Sequence, residues 1–60
     1  MELIDLFIAQ CRVQGVPEKY AQRALTISGV TEEKDGNITA AVKNFKDNVL
    51  PAITEAQGST

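Results

Sequence analysis

A single cysteine, Cys11, and no histidine among 60 residues leave this chain without an internal staple. One cysteine cannot form a disulfide within the chain, and a lone thiolate cannot build a four-ligand zinc site. A chain of this length buries only about 60% of the surface its unfolded form exposes, so its core is marginal. What remains to hold it is tight helix packing, self-association or membership in a longer protein.

The apolar spacing agrees with the first of these. Leu3, Leu6, Phe7, Cys11 and Gln14 recur at helical intervals, and so do Ile4, Ile8 and Cys11. The spacing predicts a helix over residues 2–14, stopped by Gly15. Its apolar arc, which also takes in Val13, is too wide for one stripe. Such a helix is either central to its core or docked on a partner as well. Glu2 and Asp5 at one end and Arg12 at the other complement the helix dipole.

Pro17 followed by Glu18 is a helix start signal, so a second helix is expected over 17–28, ending at Gly29. Tyr20, Ala21, Ala24, Leu25 and Ser28 share its inner face, with Lys19 and Arg23 toward solvent. A polar stretch follows, in which Asp35-Gly36-Asn37 is a turn signal. Val30 and Ile38 flank it closely enough for a minimal β-bridge. Asn37 or Thr39 then caps a third helix over 38–56. Ile38, Ala41, Val42, Phe45, Val49 and Ile53 step along it at three and four residues. Pro51 interrupts it, and a break or kink is expected near Leu50.

The expected architecture is therefore all-α: a small three-helix domain over 1–57 with short loops, the third helix kinked near Pro51, and a flexible tail at 58–60. The expected core is Leu3, Ile4, Phe7, Ile8, Cys11, Tyr20, Ala24, Leu25, Ile38, Val42, Phe45, Val49 and Ile53, with the Tyr20 hydroxyl at the edge.

Chemistry is harder to find. Without histidine there is no nucleophile, base and orienting group to assemble, so no enzyme, catalytic residue or cofactor is expected. Cys11 sits on an apolar face and reads as a small core residue. The loop fails as a calcium site: with Gly36 as its sixth residue, Thr31 and Val42 fall where the first and twelfth ligands belong. No metal site is therefore expected. Met1, Glu2 and Asp5 do not make a secretory leader, and the longest apolar run, Leu6-Phe7-Ile8-Ala9, is far short of a membrane span. The lone cysteine fits a reducing, intracellular compartment.

Six basic residues against eight acidic ones give a net charge of −2, with no strong claim on nucleic acid or anionic lipid. The basic residues are also spread over every segment. A small helix-turn-helix-like DNA-binding regulator is the alternative reading, and nucleic acid is not the expected partner. The leading expectation is contact with another protein, through self-association or docking. Its surface would be the excess apolar face of the first helix: Leu3, Leu6, Phe7 and Val13.

Gly15-Val16-Pro17-Glu18-Lys19-Tyr20, then Ala24-Leu25, Val30, Lys34-Asp35-Gly36-Asn37-Ile38, Val42, Phe45-Lys46 and Pro51 together resemble a segment of the scaffolding, or minor structural, proteins of tailed phages and prophages. The likeness spans Gly15 to Pro51. It implies a non-enzymatic assembly protein that contacts capsid protein or further copies of itself, in the cytoplasm of a bacterial host. It assigns no site residue.

Overall fold

The computed structural model describes residues 2–58, with side chains through Ala56. Helix α1 spans Leu3–Gln14 and α2 spans Ala21–Ser28. Helix α3 (Asn37–Asn44) passes into a π-helical turn (Phe45–Val49) and then α4 (Leu50–Gly58), so the three form one continuous helical rod. Among the described residues the fold is all-α, three helical stretches with no strand. No β-bridge links Val30 and Ile38. Helix α4 runs one residue into the expected tail, whose last residues, Ser59 and Thr60, lie outside the described residues.

Local chemistry sets each boundary. Glu2 is the N-cap of α1, and its backbone N–H donates to the Asp5 carboxylate at 3.2 Å. At the other end Gly15 takes the left-handed conformation, with φ +78°. The Val16 N–H then reaches back to the Cys11 carbonyl at 2.7 Å and the Gly15 N–H to Arg12 at 3.4 Å. This is a Schellman stop, which brings the residue after the glycine onto the last turn of the helix. Val16 is buried there against the same core as Cys11.

The second helix departs from expectation at its start. Pro17 stays extended, with ψ 133°, and only caps a 3-10 turn over Glu18–Tyr20; α2 proper begins at Ala21. Gly29 closes α2 in a left-handed conformation, its N–H bonded to Leu25.

The acidic loop ends in a tight turn. Asp35 and Gly36 both have positive φ, 49° and 74°, and the Asn37 N–H donates to the Lys34 carbonyl at 2.9 Å. Two successive positive φ values define a type I′ turn, for which Asp-Gly is a preferred pair. The N-cap of α3 is Gly36 and not Asn37 or Thr39. Asn37 instead points back into the loop. Its side-chain oxygen accepts from the Lys34 N–H and its amide donates to the Glu32 carbonyl, each at 2.8 Å.

Pro51 does not break the rod. Leu50 keeps right-handed helical angles, φ −59° and ψ −43°, contrary to the usual preference of a residue before proline. The accommodation lies one turn earlier. The Leu50 N–H donates to Phe45, five residues back, in the π manner. An α-helical register would press the proline ring on the Asp47 carbonyl, and the wider turn relieves that clash. It has a second effect. Val42, Phe45, Val49 and Ile53 advance mostly by four, faster than the 3.6-residue period. A turn holding more residues absorbs that drift, so Val49 and Ile53 stay on the core side.

The core is made of Phe7 and Cys11 from α1, Val16 from the turn, Ala21 and Ala24 from α2, Ile38 and Val42 from α3, and Phe45. Helix α1 packs on both α2 and α3 and is the central helix. The small Ala21 and Ala24 face inward while Tyr20 and Leu25 straddle them half-buried. Leu3, Ile4, Ile8, Val49 and Ile53, expected in the core, are half-buried at its rim. No helix among the described residues is long and apolar enough to cross a membrane.

Candidate functional site

Helix α1 resolves its wide apolar arc into three lines. Phe7 and Cys11, four residues apart, point straight into the core and are fully buried. Ile4 and Ile8 line one flank, half-buried. The other flank is Leu3, Leu6, Gln10 and Val13, which recur at three, four and three residues and so form one continuous stripe. Leu3 and Leu6 are half-buried against the core edge. Val13, at the far end, is 77% exposed, the most exposed large apolar side chain described.

Of the four residues expected to meet a partner, three therefore share this stripe. Phe7 does not. It is a core residue with no accessible surface, and its assignment to a contact face is corrected accordingly. The spacing placed it on the apolar arc but could not say that the arc's centre is consumed by two helices at once.

Polar contacts fix the stripe's lower end. Gln14 donates to the Gln10 side-chain oxygen and to the Thr39 carbonyl, both at 3.1 Å, tying the last turn of α1 to the first turn of α3. The Arg12 guanidinium meets the Glu18 carboxylate at 2.9 Å across the Gly15 turn, with both side chains largely in solvent. The Gln14–Thr39 and Arg12–Glu18 contacts were not legible in the spacing, since both depend on how the chain folds back after Gly15.

The other reactive or charged groups are accounted for locally. Burial pushes the Cys11 thiol above its ordinary value, and the Glu18 carboxylate adds to the effect. Cys11 is thus a neutral packing group at physiological pH. Tyr20 lays its ring against Phe45, centroids 6.0 Å apart and tilted by 41°. Lys19 and Arg23 sit over the Tyr20 ring at 5.3 and 6.0 Å. Lys43 pairs with Asp47 at 2.8 Å on the exposed face of the rod. Among the described residues there is no cavity and no group of three acidic, cysteine or histidine side chains that could hold a metal ion.

No family model, no curated protein and no solved structure matches the chain.

Proposed function

We propose that this domain works by contact with other protein chains, as an assembly module of the phage-scaffolding kind, and that the Leu3–Leu6–Val13 flank of α1 is the contact face. The observation that carries the reading is Val13. A large β-branched side chain stands 77% exposed on the same flank as Leu3 and Leu6, beyond Gln10, on the helix that already centres the core. Burying that side chain against a partner is worth about 1.5–3 kcal/mol, a sizeable part of what a marginal domain can gain from association. The resemblance between Gly15 and Pro51 supplies the class of partner: capsid protein or a second copy of the chain, in the cytoplasm of a bacterial host.

The genes flanking the coding sequence test the phage reading. Capsid, portal and maturation-protease genes beside it would support the proposal, and a neighbourhood of unrelated metabolic genes would count against it. A titration of salt against duplex DNA separates the contact reading from a DNA-binding one. Phosphate contacts release counterions, so true binding weakens steeply as salt rises. The expected outcome is no measurable binding even at low salt; tight, salt-sensitive binding would overturn the proposal.

A further inference from the structure

We propose that the π turn at Phe45–Val49 is a hinge, about which α4 moves as an intact helix, with Ile53 as the latch that holds it against the domain. Three observations converge on this turn. The first is hydrogen bonding. Leu50 bonds to Phe45 five residues back, and Pro51 has no N–H to give, so the ladder that stiffens an α-helix is interrupted at this point. The second is a packing boundary. Ile38, Val42 and Phe45 are fully buried, and no described side chain after Phe45 is. Beyond Pro51, Ile53 alone is half-buried among the described side chains, while Pro51, Ala52, Thr54, Glu55 and Ala56 are exposed. The third is shape. The molecule measures 38 × 17 × 16 Å, and α4 packs chiefly on the π turn itself, so it extends along the rod axis away from α1 and α2.

A helix that lacks a donor at its root, and which beyond Leu50 one apolar side chain holds down, can pivot as an arm. Fraying is a different event. It would unwind α4 from its end and leave the π turn where it is. Pivoting keeps α4 helical and changes its direction relative to α3.

Residual dipolar couplings of the backbone N–H vectors, measured on the full chain in a weakly aligning medium, separate these. The expected result is helical carbon shifts throughout α4 together with a loss of coupling magnitude in α4 relative to α1, α2 and α3. Two variants sharpen it. Pro51→Ala restores a donor at position 51 and should return α4 to the alignment of α3. Ile53→Ala removes the latch, keeps a strong helix former, and should deepen the loss without disturbing α1 or α2. Couplings in α4 that fit the same alignment at full magnitude would overturn the proposal. So would non-helical shifts in α4, or a Pro51→Ala chain whose α4 stays decoupled.

Discussion

Gly15 shows how far one residue reaches. Its φ of +78° is the left-handed region, and a Cβ added there meets nothing within 4 Å. The penalty for Gly15→Ala is therefore backbone strain alone, about 1–2 kcal/mol, and it should appear as a lower urea midpoint with an unchanged slope. Gly15 was readable as a stop from its position after an apolar run. Val16 was not placed in the core, although the signal existed: a Schellman glycine directs the next residue onto the helix it has just ended. Cys11 is the second informative residue. Cys11→Ser puts a hydroxyl among apolar side chains and is expected to cost about 1–3 kcal/mol in chemical denaturation. In the native chain a thiol-specific reagent should modify Cys11 only through opening, so labelling should be slow and should accelerate in subdenaturing urea. The pH dependence follows from the raised thiol value. The unfolded thiol ionises near its ordinary 9.0 while the folded one stays protonated, so this contribution is complete below that pH and is lost as pH rises through the folded value.

Among the elements, the 37–58 rod carries helix through Pro51 without the expected break, and the reason is physical. Pro51 carries a strong local signal for a break, and the residue before it normally leaves the helical region. What overrides that preference is the apolar pattern on either side. Keeping Val49, Leu50 and Ile53 against the core demands a continuing helix, and the π turn satisfies both constraints at once. Composition and spacing reveal the conflict but not its resolution, whereas Ile38, Val42 and Phe45 were plain in the spacing because nothing opposes them. Phe45 is the rod's main anchor, fully buried and in tilted ring contact with Tyr20. Phe45→Ala should cost about 3–5 kcal/mol, enough to leave much of the chain unfolded by circular dichroism at room temperature. The exposed Lys43–Asp47 pair belongs at this scale too. The hydrogen bond from Lys43, with both nearby lysine charges, holds the Asp47 carboxyl below its ordinary value, while its own hydrogen bond and charge partner raise Lys43. The carboxylate's contribution is present above the unfolded carboxyl's value and lost as pH falls through the folded one. The lysine's is lost only as pH rises through its folded value. Between these limits helicity should be flat with pH, and it should decline slightly on acidification.

The whole molecule is a small core that uses most of its apolar residues and leaves a few over. A domain of this size is expected to be stable by only about 3–9 kcal/mol, so a core of eight buried residues, two of them alanine, has little in reserve. The all-α, three-helix plan was legible beforehand. The division of α1 into a consumed line and a spare one was not, because it depends on where α2 and α3 dock. That division leads to a direct test at Val13. Val13→Lys removes the exposed apolar group, suits the end of a helix electrostatically and touches no buried residue, so the fold should be untouched. Sedimentation equilibrium of the native chain and of Val13→Lys, over a wide range of concentration, reads the contact face itself. The expected result is a native mass that climbs above the 6.5 kDa of one chain as concentration rises, while Val13→Lys stays at one chain throughout. A native chain that remains at 6.5 kDa at every concentration would contradict self-assembly through this face.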